Sequence, residues 1–386
     1  MHKVKVMAMA NSYWMPSLAL GGGDRRAIEI LKRAQKKHLD VSVVSSDDGI
    51  KAYKSHLSAR YHSTGKGAIG AYPYGLMVSY VLRIFSAIGK IFSLPTDFDV
   101  LYTTTDFLPD VVPSLVYKIA FPRVTWIQVI HHVIPNPGMR RGKFGVNIVS
   151  FATQRLSFEI IKRHSDRVML TNSGLRRNLI RIGFSPRKLT VSGSGVDVPY
   201  FRSIIPADTS YDAVYLGHIR PSKALPLLLE IWKKVHESLP EATLAIIGSG
   251  SRPEALRTLA ADIKRAGLSD VVFPLGYVED SLAFRIVKAA KVFLNPSLEE
   301  GWSLSSCEAI ACGTPVLSWS LPVYQELYGN TIITVPTGNT HEFAKRVIQL
   351  LRDPILRRYY ADALYQGMLS IASWEKIAQT EFDMPS

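Results

Sequence analysis

Two glutamates, Glu300 and Glu308, stand with seven residues between them in the segment Ser297-Leu-Glu-Glu-Gly-Trp-Ser-Leu-Ser-Ser-Cys-Glu-Ala-Ile-Ala-Cys-Gly-Thr-Pro-Val316. Gly301, Trp302, Ser303 and Leu304 lie where a loop is expected to turn into a helix. A helix start offers unpaired backbone N–H groups and a positive dipole end, which suits a diphosphate. Glu300, just before that turn, can accept hydrogen bonds from sugar hydroxyls. Glu308, further along the helix, can hold the two hydroxyls of a ribose. An isolated pair of glutamates is usually a solvent-facing helix pair. The flanks, Pro296-Ser297 before and Ala311-Cys312-Gly313-Thr314-Pro315-Val316 after, do not fit a plain amphipathic helix.

Other residues able to do chemistry are fewer. Gly21-Gly22-Gly23 follows an apolar run and opens a helical one, so backbone there can approach a ligand closely, or simply connect two elements. No Gly-Lys-Ser/Thr follows, and the G-x-G-x-x-G spacing is absent, which argues against a Walker loop and against a dehydrogenase. His131 and His132 end an expected strand, a position that faces ligands in parallel α/β sheets. Adjacent residues of an extended strand point to opposite sides, so the two histidines do not make a metal site. Asp97-Phe98-Asp99 has D-x-D spacing but precedes a strand instead of following one. Cys307 and Cys312 read as packed helix residues.

These residues need a scaffold, and the rhythm of the chain supplies one. Lys3–Ala10, Leu39–Ser45, Val100–Thr104, Val124–Ile130 and Arg167–Thr171 read as strands, with helices at Arg25–Lys37, Leu76–Leu94, Asn147–Arg163 and Leu175–Ile182. The alternation resumes with strands Ala213–Leu216, Leu244–Ile247, Val271–Phe273, Val292–Leu294 and Pro315–Leu317 and helices Ala224–Leu239, Pro253–Ala266, Ser303–Ala311 and Thr340–Leu351. Such a pattern predicts parallel sheets covered by helices on both faces. Ser192-Gly193-Ser194-Gly195 closes one run and Ile205-Pro206-Ala207-Asp208 precedes the next, so the break falls near 196–210.

The ordered set of motifs resembles the retaining glycosyltransferases of the GT-B fold, most closely glycosyltransferase family 4. Glu300 and Glu308 match the E-x7-E signature. Ser194-Gly-Val-Asp197 is similar to the family's Asn-Gly-Val-Asp turn, and Tyr215-Leu-Gly-His-Ile-Arg-Pro-Ser-Lys223 to its Gly-Arg-x-x-x-x-Lys phosphate loop. Leu244–Gly250, Phe273–Val278 and Trp374-Glu-Lys376 resemble further family segments, the last a closing helix that crosses back to the first domain. The resemblance implies two Rossmann-like domains whose parallel sheets face a central cleft. The expected division is 1–195 for an acceptor domain, 196–210 for a linker, 211–372 for a nucleotide-sugar donor domain and 373–386 for the returning helix.

The same resemblance assigns roles. Lys223 would pair with the donor diphosphate, Glu300 would bind the transferred sugar, and Glu308 the ribose. Gly301, Trp302, Ser303 and Leu304 would contribute contacts near sugar and phosphates. Gly22 and Gly23 would lie near donor phosphate and acceptor, and His131 would contact the donor sugar. The family's Arg after Gly217 is His218 here, so His218 or Arg220 takes its place at the phosphate. The family's Asp after His131 is His132 here. No metal and no cofactor beyond the nucleoside diphosphate sugar is implied, and no protein nucleophile is evident.

Charge adds a partner. The chain of 386 residues has a formal charge of +14. Residues 1–200 hold 28 Lys+Arg against 12 Asp+Glu, and residues 201–386 hold 18 against 20. A basic half and a neutral half imply different surfaces. No base-stacking aromatic pattern accompanies the charge, so nucleic acid is not expected. In Leu76–Leu94 the polar residues Ser79, Arg83, Ser86, Lys90 and Ser93 form one narrow stripe on an apolar cylinder. Phe144–Arg163 is similar, with Asn147, Ser150, Gln154 and Ser157, and follows Arg140-Arg-Gly-Lys143. Burial under loops is one reading of both helices. Contact with an anionic membrane, and hence a lipid-linked hydroxyl acceptor, is the other. Two cysteines give no disulfide framework, and Met1 to Ala10 runs straight into a core strand, so a cytoplasmic protein without signal peptide or spanning helix is expected. The rival function is a weak or inactive sugar-nucleotide-binding scaffold of the same fold; an epimerase or a phosphorylase is a further alternative, and the E-x7-E context argues against the epimerase.

Overall fold

The computed structural model describes residues 3–15, 19–66, 75–250, 254–371 and 373–383. The chain forms two compact units, Met1–Ser194 with Trp374–Ser386 and Gly195–Ser373.

The first unit begins β1 (Lys5–Met9), α1 (Gly22–Lys36), β2 (Asp40–Ser45), α2 (Asp47–Lys54), β3 (Arg60–Ser63), α3 (Leu76–Ile91) and β4 (Val100–Thr103). It continues α4 (Leu108–Ala120), β5 (Thr125–Ile130), α5 (Phe144–His164), β6 (Arg167–Leu170), α6 (Ser173–Arg181) and β7 (Leu189–Val191). All seven strands are parallel, in the order β3-β2-β1-β4-β5-β6-β7. Val6, Met7, Ala8 and Met9 are fully buried, because helices cover both faces of a central parallel strand. This is why β1 reads as an unbroken apolar run. The edge strands β3 and β7 are short and partly polar, and periodicity does not find them.

The second unit holds α7 (Val198–Ser203), β8 (Ala213–Leu216), α8 (Leu225–Ser238), β9 (Leu244–Ile247), α9 (Glu254–Arg265), β10 (Val272–Gly276) and α10 (Asp280–Ala289). Then come β11 (Val292–Asn295), α11 (Leu304–Cys312), β12 (Val316–Trp319), α12 (Pro322–Tyr328), β13 (Ile333–Val335), α13 (Thr340–Arg352) and α14 (Pro354–Met368). The six parallel strands run β10-β9-β8-β11-β12-β13. Residues 196–210, expected as a linker, carry α7, and Phe201 is buried edge-on to Phe284 at 4.8 Å. Turn residues mark both ends of that segment, but an apolar aromatic between them finds a packing site.

The last helix, α15 (Trp374–Phe382), packs on α1 of the first unit. Its Glu381 is fully buried and ion-paired with the equally buried Arg26. Glu381 also accepts from Tyr102 Oη at 2.8 Å and Ser192 Oγ at 2.6 Å. Arg167 donates to the carbonyls of Thr380, Glu381 and Asp383 at 2.9–3.0 Å. A buried pair of this kind tolerates no single deletion, because the remaining charge would be stranded.

The two polar-striped helices are turned the opposite way from a soluble amphipathic helix. In α3, Ser79 and Arg83 are buried, while Phe85 is 69% exposed and Leu82 is exposed beside it. In α5, Asn147, Gln154 and Ser157 are buried, while Phe144 is 62% exposed and Val146, Ile148 and Leu156 are exposed. Burial of the apolar faces under loops is therefore corrected: Ser79 and Arg83 of α3 and Asn147, Gln154 and Ser157 of α5 face in, Ser86 is exposed and Lys90 and Ser150 are half-buried, and much of the apolar surface faces out. The inward polar groups have work to do there. Gln154 donates to Asp106 Oδ2 at 2.7 Å and to His132 O at 2.9 Å, and accepts from Ile134 N at 2.7 Å, fixing the loops after β4 and β5.

Candidate functional site

In the second sheet the chain runs β8 to β10 in one direction and then places β11 on the other side of β8. That reversal is a topological switch point, where loops diverge at the carboxyl ends of the strands and leave room for a ligand. The loops after β8 and β11 carry the two charged groups of interest.

The β8 loop is built by close backbone approach. Gly217 N donates to Ile247 O at 3.0 Å and Ile219 N to Ser249 O at 3.0 Å, lacing the loops after β8 and β9. Gly248 has φ +144, and a Cβ there would meet Gly217 O at 1.9 Å, so only glycine fits. Tyr215 Oη donates to His218 O at 3.0 Å and holds the turn. Pro221–Lys223 forms a short 3-10 turn that brings Lys223 toward the β11 loop, where Leu298 N donates to Ser222 O at 2.8 Å.

There Lys223 Nζ meets Glu300 Oε1 at 2.5 Å, both side chains largely buried. Burial alone would raise the Glu300 carboxyl, but the Lys223 charge and hydrogen bond, helped by Ser297 and Arg220, hold it below the usual carboxylate range. Lys223 is lowered from the ordinary lysine value, first by burial and then by the nearby Arg220 charge, with Glu300 opposing. Arg220 is exposed beside the pair and His218 is half-buried. An arriving anion would compete with Glu300 for Lys223 and free the carboxylate to accept from hydroxyls.

Helix α11 starts next to this pair. Ser303 is its N-cap with φ +68, a left-handed conformation unusual outside glycine, and it makes no side-chain capping bond to the helix. Ser303 is held instead by a buried network: Asn295 Nδ2 reaches Ser303 Oγ at 2.8 Å, Ser306 Oγ at 2.9 Å and Tyr324 Oη at 2.6 Å. Asn295 Oδ1 accepts from Ser297 N at 3.2 Å and so shapes the loop that carries Glu300. Strain of this kind persists only where the surroundings over-determine it. Gly301 and Trp302 lie in the loop, Leu304 opens the helix, and Glu308 is buried one turn further along. Asn295, Ser306 and Tyr324 were not expected from the sequence; a polar residue ending the β11 apolar run was the available signal. Cys307 and Cys312 are buried and free, and Cys307 Sγ lies 2.9 Å from Tyr328 Oη.

Gly22, Gly23 and His131 belong to the first unit. The glycines form the first turn of α1, three residues earlier than the helix was expected to begin, with Asp24 Oδ2 accepting from Gly21 N at 3.1 Å. Low intrinsic propensity made glycine read as loop, and the cap overrides it. A Cβ on Gly23 would lie 3.1 Å from His131 Nε2, so the helix start packs directly on the imidazole. His131 Nε2 is also 3.0 Å from Thr104 O, and burial, reinforced by the Arg26 charge, pushes its pKa down to about 3. Asp97-Phe98-Asp99 is occupied structurally: Asp99 accepts from Lys5 N at 2.8 Å and Asp97 pairs with the Lys5 ammonium. Among the described residues no group of three His, Cys, Asp or Glu is placed to hold a metal ion, and no helix is long and apolar enough to cross a membrane.

Known proteins share this plan. Residues 210–353 match the family model described as Glycosyl transferases group 1. A D-inositol 3-phosphate glycosyltransferase of Streptomyces bingchenggensis is 30% identical over 261 residues, 60% of this chain and 55% of that protein. A phosphatidyl-myo-inositol mannosyltransferase of Mycobacterium leprae is 30% identical over 154 residues, 39% of this chain and 40% of that protein. The chain thus spans about half the length of the curated relatives it matches. The crystal structure of Anabaena HepE in complex with UDP-glucose superposes with a TM-score of 0.76 over 98% of both chains at 16% identity, a likeness of fold. With a basic residue and a carboxylate meeting at the switch point of its second sheet, the chain is built on the two Rossmann-like units of the GT-B fold, and its residues 210–353 are similar to the Glycosyl transferases group 1 family.

Proposed function

We propose that this protein is a retaining glycosyltransferase that moves a hexose from a nucleoside diphosphate sugar to a hydroxyl acceptor. The observation that carries the reading is the Lys223–Glu300 pair beside the side-chain-uncapped start of α11. Transfer requires a departing diphosphate to be stabilised. Lys223, with Arg220 or His218 beside it, and the helix start at Gly301–Leu304 supply fixed positive potential for that charge without a divalent metal. Glu300 accepts from the hydroxyls of the transferred sugar, and Glu308 from those of the ribose. Gly22, Gly23 and His131, packed together in the first unit, are assigned contacts to substrate on the strength of the family resemblance alone. The acceptor attacks the face the leaving phosphate vacates, with that phosphate taking its proton, so no protein nucleophile is used.

The test separates sugar from nucleotide. UDP-glucose is the first donor to assay, because HepE binds it. Glu308→Ala should weaken binding of donor and free nucleoside diphosphate alike, by about 1.5–3 kcal/mol for a lost charged hydrogen bond. Glu300→Gln should spare nucleotide affinity and lower turnover. Equal losses in both measurements for Glu300→Gln would remove it from the sugar. A protein that binds donor yet neither transfers nor slowly hydrolyses it is the scaffold alternative.

Helices α3 and α5 support a reading of the acceptor. Their outward apolar residues, joined by Phe92 just after α3 at 65% exposure and Met139 ahead of α5 at 82%, are accompanied by Arg140, Arg141 and Lys143 before α5. Exposed apolar side chains near cations suit an anionic bilayer, with aromatic side chains entering the headgroup boundary. We therefore assign the protein to the cytoplasmic membrane face, with a lipid-linked acceptor. The name of the Mycobacterium leprae relative contains such a lipid.

A further inference from the structure

The first sheet has its own switch point, between β1 and β4, and a buried arginine stands beside it. Arg83 on α3 is 4% exposed. Its Nη1 donates to Asn11 O at 2.6 Å, and its guanidinium lies over the Trp14 ring at 4.1 Å, so both the anchor point and the plane of the group are fixed. Asn11 Nδ2 returns a hydrogen bond to Arg83 O at 3.0 Å, tying α3 to the loop after β1. Yet Nε and Nη2 are buried with no hydrogen-bond partner among the described residues. These are the two nitrogens of one edge of the guanidinium, whose parallel N–H groups match two oxygens of a phosphate or carboxylate. Leaving both unmade is costly, and a structural arginine would have recruited a carbonyl or a carboxylate there. The acidic groups whose charge reaches it, Asp110 and Asp48, make no ion pair with it. Asp110 Oδ2 accepts from Thr105 Oγ1 at 2.6 Å, and its Oδ1 is buried without a hydrogen-bond partner among the described residues.

We propose that the Nε–Nη2 edge of Arg83 is an oxyanion subsite that receives a phosphate ester of the acceptor. This rests on the reading of the first unit as the acceptor-binding half. The subsite lies at the carboxyl end of β1, on the inward side of the same helix that turns its apolar surface outward. An acceptor with a lipid tail and a phosphorylated head would then meet both faces of α3.

The experiment is calorimetric titration of purified protein with glycerol 3-phosphate at constant ionic strength, in wild type, Arg83→Lys and Lys223→Ala. Lysine keeps the charge and loses the fork. Arg83→Lys should weaken glycerol 3-phosphate binding tenfold or more and leave nucleoside diphosphate affinity within twofold. Lys223→Ala should do the reverse, which separates this site from the donor site. Equal binding in wild type and Arg83→Lys, or loss in Lys223→Ala alone, overturns the proposal. Should Arg83→Lys not fold, the melting midpoint of Lys223→Ala is measured against glycerol 3-phosphate: a midpoint that rises above the matched chloride control supports the subsite, and a flat one refutes it. Co-sedimentation with phosphatidylcholine vesicles, with and without phosphatidic acid, distinguishes the source. Binding to phosphatidic acid that Arg83→Lys loses, and for which glycerol 3-phosphate competes, assigns a lipid headgroup; no preference for phosphatidic acid over phosphatidylcholine, with glycerol 3-phosphate still bound, assigns a soluble phosphate ester.

Discussion

The two units use the same strand order around their switch points, yet spend their buried charge differently. In the second unit, cation and carboxylate meet directly, as Lys223 and Glu300, at the carboxyl edge of the sheet. In the first, the direct pair, Arg26 with Glu381, joins the returning helix α15 to α1, while Arg83, Asp106 and Asp110 near the switch point pair with neutral groups. One sheet thus places its ion pair where a ligand can compete for it, and the other uses its ion pair to fasten the chain. A shared scaffold fixes where loops gather; what the loops and flanking helices carry decides what each half can bind.

The largest expected effect tests the fastening role. Glu381→Ala strands Arg26 in the interior and should cost about 3–5 kcal/mol of stability. Thermal or denaturant unfolding reads this directly, and hydrogen exchange should localise the loss to α1, β4 and α15. A loss below 1 kcal/mol would mean that α15 is held by Arg167 and its apolar residues instead. Lys223→Ala comes next. It should lower kcat/KM by about 2–4 kcal/mol, by analogy with removing an oxyanion donor. Chelator should leave the wild-type rate intact. Activity abolished by chelator and restored by magnesium would give the charge-stabilising role to a metal and dissolve the contrast drawn for Lys223.

The membrane face is a smaller effect spread over several residues. Replacing Arg140, Arg141 and Lys143 by Ser should weaken co-sedimentation with anionic vesicles by about 1 kcal/mol per residue. The wild-type binding should fall as salt rises, since charges are screened over about 3 Å at 1 M. Equal binding to neutral and anionic vesicles at low salt would separate the charge excess of residues 1–200 from any lipid.

The strands β8 and β9 were legible to the residue, because fully buried parallel strands are short apolar runs between turns. Helix α4 was not, because Pro109 and Pro113 lie within it; Pro109 sits in the first turn, where no N–H is needed, and Pro113 is tolerated by packing. Lys223 and Glu300 were recognisable from their local motifs, each set by a loop of a few residues. Arg26 and Glu381 lie 355 positions apart and are joined only by the fold. The stripes of α3 and α5 were visible, but periodicity gives the width of a face and not the side it points to. Which side faces in depends on partners such as Asp106 and Asn11, which sit on other elements.

The last contrast is in acid. Burial raises Asp24 and Asp106 to about 6 and Asp110 to about 7 in the first unit, outweighing their hydrogen bonds. Each then binds a proton in the folded state while the unfolded carboxyl, near 3.9, does not. Folding therefore gains stability from these groups as pH falls from 7 toward about 4. His131, pushed by burial down to about 3, acts the other way: below about 6.5 the unfolded imidazole takes a proton that the folded one refuses. His62 on β3, lowered by burial and by the Lys90 and Arg60 charges, acts in the same direction as His131, and three carboxyls against two imidazoles leave a net gain between pH 7 and 5. In the second unit Glu300 is held low, so its contribution is present at neutral pH, shrinks only as pH falls through its folded pKa, and gives no gain on acidification. Hydrogen exchange corrected for intrinsic rates should show amides of β1, β4 and α1 better protected at pH 5 than at pH 7, by on the order of 1 kcal/mol. Those of β8, β11 and α11 should show no such gain. Weaker protection of the first unit at pH 5 would mean that its carboxyls are ionised and solvated when folded.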